Sequence, residues 1–163
     1  MQKPSIPQDE SARLEKLYSL NVLDTETEER FDRITRIAKA CFDVPIVLVS
    51  LVDKDRQWFK STVGLDAKQT DRDSSFCAHA INGPDVFVVH DTAKDKRFAD
   101  NPLVTGEPHI KFYAGCPLAM DNGSSLGTLC IIDTKPLTFG EHECQLLRDL
   151  GALTEIELLV QHF

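Results

Sequence analysis

The sequence predicts an α+β domain in which helices cover both faces of a mainly antiparallel sheet. Helical spacings of apolar residues occur at both ends of the chain, strand-like runs lie between them, and two pairs of these runs flank turn signals. With 163 residues, of which 42% are hydrophobic and 27% charged, the chain has the size and balance of one domain. We expect a single domain over residues 1–163, with its core at about residues 11–161.

The first two helices follow from amphipathic spacing. Asp9 to Leu20 and Glu26 to Phe42 place apolar residues three and four positions apart among charged ones. The second begins in an acidic turn, which suits the positive end of a helix dipole. Both helices should therefore each bury one face against the sheet.

Two hairpins are predicted from apolar runs on either side of short polar turns. Pro45 to Asp53 is rich in β-branched residues and Leu, and Gln57 to Val63 returns after a tight turn. The second and central hairpin joins Phe112 to Leu118 with Leu126 to Asp133 around Asn122-Gly123. These four runs predict the middle of the sheet.

The segment between the hairpins has weaker periodicity. It predicts a short helix from Ser75 to Asn82, a strand from Val86 to His90 and a polar turn or helix from Asp91 to Asn101. Loops held over a sheet are where binding groups usually lie. The predicted order is therefore α-α-β-β-α-β-α-β-β-α.

The last helix is predicted after Thr138-Phe139-Gly140-Glu141, which has the spacing of a capping box with Thr138 as its first residue. The stripe of apolar residues along this helix is longer than one side of a small sheet needs. We therefore expect a homodimer whose contact includes this helix. The stripe consists of Leu146, Leu147, Leu150, Leu153, Ile156, Leu159 and Val160.

Side-chain alternation divides the central strands into two sets, of which one should face a cavity and the other the terminal helices. The small or polar set, assigned to the cavity, is Ser50, Ala114, Cys116, Thr128 and Cys130. The bulky set, assigned to the terminal helices, is Val47, Val49, Leu51, Leu129 and Ile131.

Charge and cysteine usage limit the partners and the compartment. The net charge of -8 and the pI near 5.0 oppose binding to nucleic acid or to an anionic membrane surface. No apolar run approaches the roughly 20 residues that cross a bilayer, and Met1 to Ser5 opens no signal peptide. Five scattered cysteines are typical of free thiols, so we expect a cytoplasmic protein without disulfides.

Six short segments of the chain carry distinctive motifs. They are Leu51-Val52-Asp53, Arg56 to Ser61, Arg72 to His79, Asp95 to Pro102, Phe112 to Gly115 and Gly127 to Cys130. These motifs resemble those of GAF domains, the small-molecule sensing fold of bacterial signalling proteins and phytochromes. The resemblance as a whole runs from about Ser11 to Gln161, and the subgroup it indicates precedes diguanylate cyclases and histidine kinases or stands alone.

The resemblance implies a six-stranded antiparallel sheet, a ligand cavity under the Ser75 to Pro108 segment, and terminal helices on the other face that often pair in dimers. The cyclic-nucleotide pattern of some GAF domains is missing. Phe98 to Tyr113 holds no cysteine, whereas methionine sulfoxide reductases of this fold place a nucleophile there. Cys77 and His79 are separated by Ala78, unlike the adjacent pair that binds bilin. No cyclase or kinase motif is present, so such a module would be a downstream partner.

Cys77 is the residue whose chemistry is most open. It and His79 would point about 200° apart on a helix, which argues against a shared metal ion. If Cys77 faces the cavity near Arg72, its thiolate is a candidate redox or covalent sensor. The alternative is an ordinary buried cysteine.

Two arginines have alternative roles. Arg72 beside Asp73, and Arg97 near Asp95, are either structural ion pairs or forks for an anionic ligand. We therefore expect an anionic or polar ligand, although no cofactor is identified. The candidate ligand-binding residues are Trp58, Lys60, Arg72, Phe76, Cys77, His79, Asp91, Arg97, Asn101, Tyr113, Thr128 and Cys130.

The leading hypothesis is a non-enzymatic sensor domain that binds a small cytoplasmic molecule. One alternative is a thiol enzyme or redox switch that uses Cys77 in the manner of free methionine sulfoxide reductases. The other is a dimerisation module with a vestigial cavity.

Overall fold

The structure is a computed structural model that describes residues 1–160. The predicted domain core ends at Gln161, which lies outside the described residues. The helices are α1 (Glu10–Ser19), α2 (Glu29–Phe42), α3 (Phe76–Ala80), α4 (Pro102–Thr105) and α5 (Glu141–Leu159), with a 3₁₀ turn at Thr92–Lys94. The strands are β1 (Ile46–Val52), β2 (Arg56–Val63), β3 (Gln69–Asp71), β4 (Phe87–Val89), β5 (Phe112–Ala119) and β6 (Ser125–Asp133).

The six strands form one antiparallel sheet in the order β3-β2-β1-β6-β5-β4. The α+β class and the six-stranded sheet are confirmed. The two predicted hairpins are β1–β2 and β5–β6, and they join where β1 pairs with β6. Residue spacing alone predicts only five strands, because the three residues of β3 are too few to show alternation.

The sheet separates two cores. One face packs against α1, α2 and α5 through a cluster that includes Leu17, Phe31 and Leu147. The other face packs against α3 and the loops up to β5 through a second cluster that includes Phe76 and Phe98. The terminal helices therefore cover one face, and the segment between the hairpins forms a roof over the other.

The bulky set of central-strand residues lies on the terminal-helix face, as predicted. Ala114 and Cys116 lie on that face too, so their assignment to the cavity is wrong. Their small size lets α5 approach the sheet: a Cβ on Gly151 would lie 2.7 Å from the Cys116 sulfur. Small residues in β5 thus make room for a helix rather than for a ligand.

Helix α5 begins after Gly140 rather than after Thr138, so the predicted capping box is wrong in its first residue. The Gly140 N–H donates to the Glu143 carboxylate at 3.0 Å, which satisfies one free donor at the helix start. None of the helices in residues 1–160 is long and apolar enough to span a bilayer.

The apolar stripe of α5 divides into two faces. Leu147, Leu150 and Leu158 are buried against the sheet. The members of the stripe that are exposed to solvent are Leu153, Ile156, Leu159 and Val160. The helix thus covers its own sheet and presents a second apolar surface to solvent.

Candidate ligand cavity

A cavity of about 350 Å³ lies between the sheet and its roof. Side chains from β1, β2, β3, β5 and β6 form its floor, and α3, α4 and the β2–β3 and α4–β5 connections form the rest. The lining residues are Ile46, Leu48, Gln57, Phe59, Gly64, Leu65, Asp66, Ala67, Thr70, Phe76, Cys77, Leu103, Glu107, Pro108, Ile110, Tyr113 and Ile132.

Two glycines shape this site. Gly64 has a φ of +79°, and a Cβ there would lie 2.0 Å from the Pro45 carbonyl oxygen, so only glycine fits. Gly115 lets the Tyr113 ring lie along its own strand, because a Cβ on Gly115 would be 2.2 Å from the phenol oxygen. The Tyr113 hydroxyl is thereby directed toward α3.

The polar atoms at the floor of the cavity converge on one sulfur. The hydroxyls of Tyr113 and Thr128 donate to Cys77 Sγ at 3.2 and 3.0 Å. Cys130 Sγ lies 3.9 Å from the same sulfur. All four residues are buried, and of the four Cys77 and Tyr113 line the cavity.

The pKa values of the Cys77 and Cys130 thiols are shifted in opposite directions. Burial raises the pKa of Cys77, but hydrogen bonds with Cys130, Thr128 and Tyr113 outweigh it and hold the pKa below its ordinary value. Burial and the neighbouring Cys77 raise the pKa of Cys130 well above its ordinary value. The hydroxyl donors around Cys77 therefore favour a negative charge on its sulfur.

Gln57 is the main neutral polar group of the lining. Its Oε1 accepts hydrogen bonds from Ser75 at 2.7 Å and from Ser50 at 3.2 Å. Its Nε2 donates to the Thr70 hydroxyl at 2.5 Å. Because Ser75 also caps α3 by accepting from the Ala78 N–H at 3.0 Å, the Gln57 amide fixes that helix to the sheet.

The predicted site residues fall into three groups. Phe76, Cys77 and Tyr113 line the cavity. Thr128 and Cys130 lie behind Cys77 and contact it. The others lie outside the lining, and they are Trp58, Lys60, Arg72, His79, Asp91, Arg97 and Asn101.

Arg72 is buried but contacts α1 instead of the cavity. Its Nη1 donates to Glu10 Oε2 at 2.6 Å and to the Asp53 carbonyl oxygen at 2.9 Å. Asp73, the expected partner, contacts Lys3 instead at 3.5 Å. Arg72 therefore forms a structural ion pair, as one of its two interpretations predicted, but with Glu10 instead of Asp73. The prediction that Arg72 contacts the ligand is wrong, because Arg72 lies outside the cavity lining.

Arg97 forms the ion pair with Asp95 that its spacing suggested, at 2.7 Å. Its guanidinium lies 5.0 Å from the ring centroid of Phe87 and 5.3 Å from that of Phe98. His79 lies edge-on to Phe98, with ring centroids 4.9 Å apart, and burial lowers the His79 pKa. Arg97 and His79 therefore pack against aromatic residues of the roof and do not line the cavity.

Asp91 and Asn101 are capping residues. Asp91 accepts from the Ala93 N–H at 3.0 Å, and Asn101 accepts from the Leu103 N–H at 2.9 Å. The Asn101 amide also donates to the Ser74 carbonyl oxygen at 3.1 Å. Both residues thus organise the roof without lining the cavity.

Trp58 and Lys60 lie on the terminal-helix side of β2, whereas Phe59 faces the cavity. Lys60 Nζ is buried and contacts Glu28 Oε2 at 2.7 Å, the Thr25 hydroxyl at 2.9 Å and the Glu26 carbonyl oxygen at 2.5 Å. Its charge is therefore already compensated by the segment before α2.

This ion pair predicts a pH effect. Hydrogen bonds from Arg30 and Lys60 lower the Glu28 pKa from 4.5 to about 2. Because the folded pKa lies below the ordinary value, the contribution of Glu28 to stability is full above pH 4.5 and is lost as the pH falls toward 2. Urea unfolding across that window should show a shallower pH dependence for Glu28→Gln than for the parent. The exposed control Glu15→Gln should keep the parent slope, and equal slopes for Glu28→Gln and the parent would contradict this.

Sequence reasoning missed most of the lining. Alternation along β2 places Trp58 and Phe59 on opposite faces of the sheet. Phe59 lines the cavity, so the prediction of Trp58 as the cavity residue is wrong. The residues of the β2–β3 connection carry no strong local signal. The missed polar or charged lining residues are Gln57, Asp66, Thr70 and Glu107.

An antiparallel six-stranded sheet with a cavity under one roof and terminal helices on the opposite face is the arrangement that the sequence motifs led us to expect of a sensor-type domain. The family model described as GAF domain matches residues 26–158. The chain belongs to the GAF domain family.

The chain is 48% identical over 136 residues to a cyclic di-GMP phosphodiesterase of Pseudomonas aeruginosa. The match covers 83% of this chain but only 23% of that protein, so the chain spans about a quarter of its relative. The match therefore does not assign the phosphodiesterase activity of that protein to this chain.

Solved structures share the fold. The GAF domain of an Acinetobacter phosphoenolpyruvate-protein phosphotransferase has a TM-score of 0.65 and 14% identity, covering 90% of this chain and 92% of that one. A free methionine-R-sulfoxide reductase from Neisseria meningitidis, solved with its substrate, has a TM-score of 0.65 and 19% identity over 97% and 95% of the two chains. At these identities the likeness concerns the fold alone.

Proposed function

We propose that this chain is a non-enzymatic sensor domain that binds a small cytoplasmic molecule between its sheet and roof. The observation that supports this most is the cavity of about 350 Å³, which has a mainly apolar lining and a few fixed polar groups. Its candidate contacts are the lining residues Phe59, Phe76, Cys77 and Tyr113, with the Gln57 amide and Thr70 hydroxyl for orientation.

The ligand class that we propose differs from the anionic or polar one that the sequence predicts. Neither arginines nor lysines occur among the lining residues, and Lys60, Arg72 and Arg97 are engaged in ion pairs elsewhere. The charged lining residues are Asp66 and Glu107, both exposed at the rim. We propose a neutral or cationic, largely apolar ligand, because an anion would meet only carboxylates there.

The binding proposal is tested by closing the cavity. Ala67 is half-buried in the lining, so Ala67→Trp should fill part of the space. A thermal-shift screen of metabolites against the parent should select neutral or cationic compounds, and Ala67→Trp should lose most of the stabilisation they give. Ala93→Trp, at an exposed site outside the lining, should retain it.

Two results would contradict the proposal. If the screen selected carboxylates or phosphates, and Arg97→Ala abolished their thermal shift, the earlier prediction of an anionic ligand would be supported instead. Equal shifts for Ala67→Trp and the parent would show that the compounds bind outside this cavity.

We propose that binding is transmitted through the terminal helices to an output domain. The support is that the relative with 48% identity is a much longer protein named as a phosphodiesterase. The exposed apolar face of α5 is a candidate contact for a second copy, so we also propose a homodimer.

A further inference from the structure

The pair formed by Cys77 and Cys130 has a geometry that simple ligand binding does not require. The two residues are 53 positions apart in sequence, yet their sulfurs lie 3.9 Å apart. A disulfide bond is about 2.05 Å long, so bond formation requires the sulfurs to approach by about 2 Å. Cys77 lines the cavity and Cys130 does not, so the approach draws the Cys77 sulfur away from the cavity and toward β6.

The surroundings of Cys77 favour an anionic sulfur. Two hydroxyl groups, from Tyr113 and Thr128, point their hydrogen-bond donors at Cys77 Sγ. Cys116 provides the contrast, because it is buried on the other face and burial, with Glu155 nearby, raises its pKa to about 12. Exposed Cys41 lies on α2, outside this environment. The hydroxyl cluster thus singles out one sulfur as a nucleophile.

We propose that Cys77 and Cys130 form a dithiol site that reacts with hydroperoxides and closes to a disulfide. Cys77 is the residue that attacks, because it lines the cavity through which a small hydroperoxide arrives. Cys130 resolves the intermediate, because it is fully buried directly behind Cys77.

The reaction has two steps. The Cys77 thiolate attacks one peroxide oxygen, an S–O bond forms and the O–O bond breaks. The departing alkoxide takes up the proton that Cys77 released on ionisation and leaves as an alcohol, or as water when the oxidant is hydrogen peroxide. Cys130 then attacks the sulfenic sulfur, the S–O bond breaks, and hydroxide leaves as water with the Cys130 proton. The dithiol loses two electrons, and the hydroperoxide gains them.

Oxidation would change the same wall that a ligand contacts. A disulfide draws the Cys77 sulfur toward β6 and disturbs the hydrogen bonds from Tyr113 and Thr128. The site does not depend on which ligand fills the cavity, so failure of either proposal leaves the other testable.

The experiment treats the reduced parent protein with hydrogen peroxide or tert-butyl hydroperoxide and follows each cysteine by non-reducing peptide mass spectrometry. The thiol count should fall from five to three, with Cys77 and Cys130 in one linked peptide pair. The reaction should be about tenfold or more faster than oxidation of exposed Cys41. Retention of the Cys77 and Cys130 thiols at a dose that oxidises Cys41, or a disulfide between another pair, would overturn the proposal.

Variants assign the order of the two thiols. Cys130→Ala should stop at a Cys77 sulfenic acid that dimedone traps, and Cys77→Ala should leave Cys130 reduced. Cys116→Ala, the matched buried control, should form the disulfide at the parent rate. Oxidation of Cys130 in Cys77→Ala would overturn the assignment of the attacking thiol. Because the parent measurement needs no variant, the proposal remains testable if a substitution unfolds the domain.

Discussion

Gly127→Ala is expected to destabilise the domain by about 3 kcal/mol or more, a large part of the stability of a typical single domain. Gly127 pairs with Leu51 where β1 meets β6 at the centre of the sheet. A Cβ there would lie 1.8 Å from the Ser50 carbonyl oxygen and 2.8 Å from the Leu51 Cα. Both are backbone atoms, so relief requires the two strands to separate. Urea unfolding followed by circular dichroism measures the loss.

Two other glycines provide matched controls. At Gly83 the nearest atom to an added Cβ is 3.9 Å away, so Gly83→Ala should change the free energy of unfolding by about 0.5 kcal/mol or less. Gly123 has open space but a φ of +83°, so Gly123→Ala should cost about 1 kcal/mol. A Gly127→Ala variant as stable as Gly83→Ala would mean that the contact between β1 and β6 is looser than described.

The effect of Gly127 bears on the cavity as well as on stability. Its neighbour Thr128 donates to Cys77 Sγ, and the Ser50 hydroxyl donates to Gln57. Separation of β1 from β6 would therefore move both polar groups that organise the cavity floor. Gly127 is therefore needed for the geometry of the cavity floor, although it does not line the cavity.

The two hairpins and the terminal helices were predictable because their signals are local. Alternation and turn residues identified the strands, and spacings of three and four identified α1, α2 and α5. Cys77 and Tyr113 were found as cavity residues for the same reason, since they lie in the motifs of the central segment and hairpin.

The rest of the site depends on contacts that are distant in sequence. Arg72 pairs with Glu10, which is 62 residues away, whereas sequence reasoning weighed only the adjacent Asp73. The phase of β5 was misread because small residues suit either a ligand or a close helix, and Ala114 and Cys116 serve the helix. Composition resolves neither the ion-pair partner of Arg72 nor the face to which the small residues of β5 point, because each depends on which element packs against that residue in the fold.

Leu153→Glu combined with Leu159→Glu is expected to convert a homodimer into monomers. The two side chains are 51% and 43% exposed, so the charges should be tolerated by the folded domain. Ile156 extends the same apolar surface on α5, exposed Val160 follows the end of the helix, and Ile37 is exposed on the neighbouring helix α2. In a two-fold dimer each new carboxylate would face a copy of the same surface, which doubles the repulsion and the desolvation cost.

Sedimentation velocity over a range of concentrations measures the change, and circular dichroism confirms that the variant is folded. Ala93→Glu with Ala99→Glu adds the same charge at exposed sites of the roof, on the opposite side of the sheet, and should leave the dimer intact. A parent that is monomeric at high concentration, or a double variant that stays dimeric, would contradict the assignment of this surface. Monomerisation by the helix variant alone would show that the second apolar face of α5 is covered by another copy of the chain, because added charge by itself is matched in the control.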